Sequence, residues 1–246
     1  MTHPMEGKRV PEVTFRVREN GEWKNVTSKE LFDGKKVVLF ALPGAFTPTC
    51  SSAHLPRYEE LAPTFFDNGV DDILCLSVND AFVMNEWGRQ QGAKHVKLIP
   101  DGNAEFTAGM GMLVDKEDLG FGKRSWRYAM VVNDGIIEKV FSEPDKPGDP
   151  FEVSDADTVL RYLAPDATQR PGASLIVKEG CQHCARAKRL LEEAGIPYEE
   201  AVIGRDVTTR SLYAMSGQRT TPQVWVDGTH IGNADDLEKW LGQRAA

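Results

Sequence analysis

The chain of 246 residues contains 41% hydrophobic and 27% charged residues, ordinary proportions that exclude a disordered, collagenous or coiled-coil protein. Its formal net charge of −8 at pH 7 is unfavourable for binding the negatively charged phosphate backbone, so we expect no nucleic acid partner. No apolar run reaches the roughly 18 residues of a membrane span, and the N-terminus lacks the apolar stretch of a signal peptide. We therefore expect a cytoplasmic protein with no membrane association, whose four cysteines are catalytic, metal-binding or buried rather than a disulfide framework.

The first part of the chain alternates strand patterns with helix patterns. Runs of apolar β-formers and an Asp-Gly turn predict strands at 36–42, 72–78, 96–99, 127–132 and 136–141. Apolar residues at helical spacing predict helices that begin at 47, 81 and 155. At the first of these, Thr47 offers a capping hydroxyl and Pro48 suits the first helical position. The alternation indicates an α/β fold.

The composition changes between residues 143 and 172, where proline, glycine and acidic residues accumulate. The strand and helix patterns then resume, with strands predicted at 174–178, 198–203 and 223–226 and helices at 181–194 and 235–241. We therefore predict a larger domain over residues 1–165, a linker over 166–171 and a small domain over 172–246.

Cys50 lies in the first turn of the helix that leaves the first buried strand. Unpaired backbone N–H groups and the positive end of the helix dipole favour a thiolate at this position. Thr47, three residues earlier, can direct its hydroxyl to the same point. From this pattern alone, a reactive thiol and a small buried residue are about equally good interpretations. A cation able to stabilise a developing oxyanion is still missing.

The segment at 43–51 (PGAFTPTCS), with the following 54–56 (HLP), resembles the active-site segment of peroxiredoxins of the peroxiredoxin-5 type. The similarity covers roughly residues 5–163 and includes 75–83 (CLSVNDAFV), 86–87 (EW) and 127–132 (RYAMVV). It implies a thioredoxin-like fold. The implied catalytic residues are the peroxidatic Cys50, the shielding Pro43, the hydrogen-bonding Thr47 and the cationic Arg127.

One departure concerns the second thiol of the reaction. Some peroxiredoxins of this type carry a resolving cysteine late in the domain, and the corresponding region, 150–163, contains none here. Cys75, in an apolar strand, is interpreted as a core residue. We therefore expect an outside thiol to reduce the sulfenic acid that forms on Cys50.

A second thiol pair, Cys181-Gln182-His183-Cys184, follows a predicted strand and opens a helix. In this position the leading thiol, Cys181, is exposed and acidified, and Lys178 adds a positive charge nearby. Half of a zinc site is the alternative interpretation. Because no second pair of ligands follows at a suitable spacing, we predict no metal site.

The segments at 220–228 (TTPQVWVDG) and 230–237 (HIGNADDL) resemble the downstream motifs of glutaredoxins, over about residues 172–244. The resemblance implies a redox-active pair, Cys181 and Cys184, and a cis peptide before Pro222. It also implies glutathione-binding residues: Lys178 for the glycyl carboxylate, Thr221 with Pro222 for the cysteinyl part, and Ala234 with Asp235 for the γ-glutamyl end. Two departures are Gln-His inside the CxxC, where Pro-Tyr or Pro-Phe is usual, and Gly232-Asn233 before the last helix.

Together the two resemblances imply a glutathione-dependent thiol peroxidase that reduces hydrogen peroxide and small alkyl hydroperoxides. Cys50 would be oxidised, glutathionylated and then regenerated through Cys181. The alternatives are a general glutathione-disulfide oxidoreductase and a redox sensor. We expect no bound cofactor, glutathione as the reducing co-substrate, NADPH only through a separate glutathione reductase, and a homodimer or homotetramer by analogy.

Overall fold

The structure, a computed structural model, describes residues 3–167 and 171–244, and the chain divides into two units, 1–168 and 169–246. Residues 168–170 of the predicted linker lie outside the described residues. The strands of the first range are β1 (Thr14–Glu19), β2 (Glu22–Thr27), β3 (Lys36–Leu42), β4 (Asp72–Ser77), β5 (Val96–Pro100), β6 (Leu113–Asp115), β7 (Lys123–Ser125), β8 (Tyr128–Asn133) and β9 (Ile136–Ser142). Its helices are α1 (Ser28–Phe32), α2 (Leu55–Asp67), α3 (Ala81–Gln91), α4 (Glu105–Gly109) and α5 (Ala156–Leu163).

The central sheet of the first unit has five strands in the order β5-β4-β3-β8-β9. Strand β3 runs parallel to β4 and antiparallel to β8. The predicted hairpin is confirmed, since β8 and β9 pair around Asp134 and Gly135, whose positive φ values of 48° and 75° suit a two-residue turn. The predicted strands and helices of this unit thus combine into one mixed sheet with helices on its faces.

Strand β3 is buried on both faces, as its continuous apolar run predicts. Val38, Phe40 and Leu42 pack on one side with residues of α2, α3 and α5. The alternate residues of the strand pack on the other side with the β1–β2 hairpin, α1 and α4. Because both faces are covered, β3 is held in place within the core. Its C-terminal end therefore starts the following segment in a fixed direction.

The start of the helix after β3 differs from the prediction. Helical conformation begins at Pro48 as expected, but Cys50–His54 forms a π-helical turn before α2 continues. The hydroxyl of Thr47 donates to the carbonyl of Gly44 at 2.8 Å, and within residues 3–167 no backbone N–H donates to it. The predicted capping hydrogen bond is therefore not formed among the described residues, and the hydroxyl of Thr47 instead ties the helix start to the preceding turn.

The second unit contains the strands β10 (Ala173–Val177), β11 (Tyr198–Val202), β12 (Gln223–Val226) and β13 (Thr229–Gly232) and the helices α6 (Gln182–Glu193), α7 (Thr209–Ser216) and α8 (Ala234–Arg244). Its sheet has the order β11-β10-β12-β13, with β10 parallel to β11 and antiparallel to β12. Each unit therefore repeats the same arrangement, in which the first core strand lies between a parallel and an antiparallel neighbour. This is the thioredoxin-like fold.

Candidate active site

The first thiol site forms where β3 ends. Cys50 is fully buried at the start of the π-helical turn. The loop before it is shaped by Phe46, whose φ of 65° is left-handed, and by the side chain of Asn79 at the end of the neighbouring strand. The Asn79 side-chain oxygen accepts from the backbone N–H of Ala45 at 3.1 Å and from the hydroxyl of Ser77 at 2.8 Å. The sheet itself therefore fixes the path that brings Cys50 to this position.

Arg127 supplies the cation that the local sequence pattern around Cys50 did not locate. It immediately precedes β8, the antiparallel neighbour of β3, and only 1% of it is exposed. Its Nη1 donates to the Cys50 sulfur at 3.5 Å. Burial alone would lower the pKa of Arg127, but the neighbouring Cys50 and Asp149 raise it. The guanidinium thus stays charged beside the sulfur, and its Nε–H has no partner among the described residues.

The loop after β9 supplies contacts to Arg127 that the sequence analysis missed. Both carboxylate oxygens of Asp149 accept from Nη2 at 2.6 Å, and the ring of Phe151 lies 5.5 Å from the guanidinium carbon. The nearby imidazole of His54 lies 3.0 Å from Nη1. The acidic, proline-rich composition of this loop indicated a turn, but it did not indicate that the loop contacts Arg127.

A buried carboxylate holds that loop in place. Glu143 is 3% exposed, and one of its oxygens accepts from the backbone N–H groups of Val153 and Ser154 at 3.0 and 2.8 Å and from the Ser154 hydroxyl at 2.7 Å. Its other oxygen accepts from the N–H of Glu152 at 2.8 Å. The position of Ser154 is therefore set by Glu143, and the carbonyl of Ser154 in turn faces His54 at 3.1 Å.

The remaining residues predicted for this site have different surroundings. Pro43 is half-buried in the loop between β3 and the π-helical turn. Thr47 is half-buried and donates to Gly44. Cys75 is fully buried on β4, as predicted, and burial raises the pKa of its thiol well above the ordinary value. Cys75 is therefore a poor nucleophile.

The second thiol site lies at the start of α6. Cys181 is the N-cap residue, is partly exposed, and accepts from the backbone N–H of Cys184 at 3.2 Å. The hydroxyl of Thr221 also points at its sulfur, at 3.8 Å. Burial would raise the pKa of Cys181, but the hydrogen bonds from Cys184 and Thr221 outweigh it and lower this pKa. Burial raises the pKa of Cys184, so Cys181 is the more accessible and the more acidic thiol of the pair.

Several residues predicted to bind glutathione lie around Cys181. An open cleft of about 410 Å³ beside it is lined by exposed Lys178, which has no ion-pair partner among the described residues. The Thr221–Pro222 peptide is cis, as the sequence resemblance implied. The Thr221 carbonyl lies 3.8 Å from the Cys181 sulfur. The thiol and the Lys178 cation therefore line the same cleft, and the Thr221 carbonyl adjoins the thiol.

The start of α8 is partly occupied by the chain's own side chains. The side-chain oxygen of Asn233 accepts from the backbone N–H groups of Asp235 and Asp236 at 2.8 and 3.3 Å. The Asp235 carboxylate pairs with Arg186 at 2.5 Å. Ala234 is buried. The departure from the glutaredoxin motif at Asn233 thus has a structural result, a self-capped helix terminus.

The comparisons with known proteins identify the family of each domain. A family model described as redoxin matches residues 5–160, and one described as glutaredoxin matches residues 174–231. A curated relative named "Hybrid peroxiredoxin hyPrx5", from Haemophilus influenzae, is 60% identical over 96% of this chain and 98% of its own length. The chain belongs to the hybrid peroxiredoxins. It joins a peroxiredoxin domain to a glutaredoxin domain, and it is an enzyme of the peroxidase class.

Other relatives match the peroxiredoxin domain. "Peroxiredoxin sll1621" from Synechocystis is 59% identical over 71% of this chain and 98% of its own length. Among solved structures, reduced Prx3 from Vibrio vulnificus in complex with hydrogen peroxide is 45% identical, with a TM-score of 0.61 over 64% of this chain and 98% of that one. In the described part of this hybrid peroxiredoxin, no helix combines the length and apolarity needed to cross a membrane.

Proposed function

We propose that this hybrid peroxiredoxin reduces hydrogen peroxide and small alkyl hydroperoxides, with glutathione as the reductant. The observation that carries the proposal is the contact between the buried Cys50 sulfur and Arg127, at 3.5 Å. A thiolate attacks one peroxide oxygen, the O–O bond breaks, and the leaving oxygen takes up a proton to become water or an alcohol. A fixed guanidinium lowers the barrier by stabilising the charge on that oxygen.

Cys50 then carries a sulfenic acid. The other cysteine of the same domain, Cys75, is buried on β4 and therefore does not resolve it. Glutathione attacks the sulfenic sulfur, water leaves, and Cys50 becomes joined to glutathione. The Cys181 thiolate attacks the glutathione sulfur and releases the Cys50 thiolate. A second glutathione then attacks that sulfur, so that oxidised glutathione leaves and Cys181 is regenerated.

The exposed cation of Lys178, unpaired among the described residues, and the Thr221 carbonyl beside Cys181 support the glutathione part of this proposal. A glycyl carboxylate can pair with the ammonium group, and the peptide can pair with the carbonyl of Thr221 as an added strand does. Of the pair Cys181 and Cys184, the cycle requires only Cys181, because the disulfide that leaves contains two glutathione sulfurs. Cys184 is buried and has a raised pKa, which suits a dispensable second thiol.

Peroxide-dependent NADPH consumption with glutathione and glutathione reductase tests the proposal. We expect Cys50→Ser and Cys181→Ser to lose turnover and Cys184→Ser to keep most of it. The matched control is Cys75→Ser, which removes a thiol of the same domain and keeps turnover. Activity in Cys50→Ser would refute the peroxidatic assignment. Full activity in Cys181→Ser would show that glutathione reduces Cys50 without the glutaredoxin domain.

A further inference from the structure

His54 is a buried imidazole one turn beyond Cys50, at the end of the π-helical turn. Its ring lies between those of Phe40 and Phe151, with centroid distances of 4.7 and 4.9 Å. A histidine enclosed in this way serves either as an aromatic packing element or through its nitrogen atoms. The partners of the two nitrogens decide between these roles.

Each nitrogen of His54 has a partner that permits only one assignment. The Nε2 atom lies 3.1 Å from the carbonyl of Ser154, which can only accept, so Nε2 carries the hydrogen. The Nδ1 atom lies 3.0 Å from Nη1 of Arg127, which can only donate, so Nδ1 accepts. Burial, and then the charge on Arg127, lower the pKa of His54 to about 3. The imidazole is therefore neutral at pH 7, with one fixed tautomer.

These assignments determine where the hydrogens of Arg127 point. Nη1 has two hydrogens in the plane of the guanidinium, and its two partners are His54 Nδ1 and the Cys50 sulfur. Nη2 is held by Asp149 on the other side. Because the guanidinium is planar, fixing one Nη1 hydrogen on His54 fixes the direction of the other. Asp149 already places one carboxylate on the guanidinium, and a neutral acceptor fixes this direction without adding a second negative charge.

We propose that His54 is a positioning residue for Arg127, its Nδ1 accepting one Nη1 hydrogen so that the other is directed at the Cys50 sulfur and the peroxide oxygen. This inference rests on the proposed role of Cys50. The other groups that face the imidazole are consistent with it. Tyr58 donates its hydroxyl to the same Ser154 carbonyl at 2.9 Å, so this carbonyl keeps a donor if the Nε2 hydrogen is lost.

Three substitutions separate an acceptor role from a packing role. His54→Asn can place its side-chain oxygen where Nδ1 lies and keeps an acceptor for Arg127, but loses the ring. His54→Gln reaches the Ser154 carbonyl with its amide N–H but leaves Arg127 without this acceptor. His54→Phe keeps the ring between Phe40 and Phe151 and removes both nitrogens.

The measurement is the second-order rate constant for oxidation of Cys50 by hydrogen peroxide in the full chain, together with the rate at which iodoacetamide alkylates Cys50. We expect His54→Asn to stay near the wild-type rates and His54→Gln and His54→Phe to fall by about ten- to a hundredfold, because each leaves a buried charged donor without its partner. Reduction of a glutathione mixed disulfide by the glutaredoxin domain should not change, which shows that the second unit is intact.

A rate for His54→Phe equal to wild type would overturn the proposal, because it would show that the ring alone suffices. A rate for His54→Asn as low as that of His54→Gln would also overturn it, and the comparison of these two amides does not depend on how His54→Phe folds. A wild-type chain that consumes no peroxide would instead contradict the proposed function. The alkylation rates would still test the position of Arg127 in that case.

Discussion

Replacing Glu143 with glutamine tests how the loop that faces Arg127 is held. The carboxylate is buried and accepts four hydrogen bonds, from three successive backbone N–H groups and the hydroxyl of Ser154. Glutamine has nearly the same shape but only one accepting oxygen. Its amide N–H groups must therefore face at least one of the donors that now point at Glu143.

The magnitude follows from these contacts. A hydrogen bond to a charged group contributes about 1.5–3 kcal/mol and a neutral one about 0.5–1.5 kcal/mol, so Glu143→Gln loses one strong bond and weakens the other three. The variant also avoids the cost of burying a charge, which offsets part of this loss. We expect the free energy of unfolding of the first unit to fall by about 2–3 kcal/mol, which lowers its Tm by about 6–9 °C in a domain of this size.

Calorimetry on the full chain checks this value, with Glu152→Gln as the matched control. Glu152 lies in the same loop, but its carboxylate is half-exposed and pairs with Lys146 at the surface. Its replacement is expected to cost less than about 1 kcal/mol. If Glu143→Gln melted within the error of wild type, or if the control lost as much, the four hydrogen bonds would not anchor the loop as we argue.

Three further predictions concern single side chains. Since His54 has a pKa of about 3 when folded and near 6.5 when unfolded, only the unfolded state takes up its proton between these values. The free energy of unfolding should therefore fall by about 1.4 kcal/mol per pH unit below about pH 6.5, and urea unfolding at pH 7 and 5 should show this loss in wild type but not in His54→Asn. Thr221→Val removes a hydrogen bond to Cys181 and should raise the pKa of its thiol, which the pH dependence of Cys181 alkylation measures; an unchanged profile would contradict the assigned donor. Asn233→Ala should destabilise the second unit by about 1 kcal/mol and lower the KM for glutathione, because the N–H of Asp235 becomes available to a carboxylate; a higher KM would show that Asn233 assists binding.

The elements that the sequence predicted correctly are those with local causes. The bounds of β3 and β12 and the start of α3 agree with the prediction. Strand β3 is a continuous apolar run, and α3 is bounded by Asp80, which caps its first N–H groups, and by Gly92 in the left-handed conformation. By contrast, the β1–β2 hairpin was not predicted, because most side chains of β2 are exposed and its sequence lacks alternation of apolar and polar residues.

The amino-acid sequence by itself determined the two domains' strand and helix patterns and placed Cys50 and Cys181 at helix starts, because burial and chain reversal leave local, periodic signals. Only the tertiary structure decided that His54 and Asp149 share the guanidinium of Arg127, and that Asn233 occupies the start of its own helix. The contact between His54 and Arg127 joins residues 73 positions apart. Which side chains meet depends on which distant segments the folded sheet brings together. The local sequence pattern around either residue does not indicate that contact.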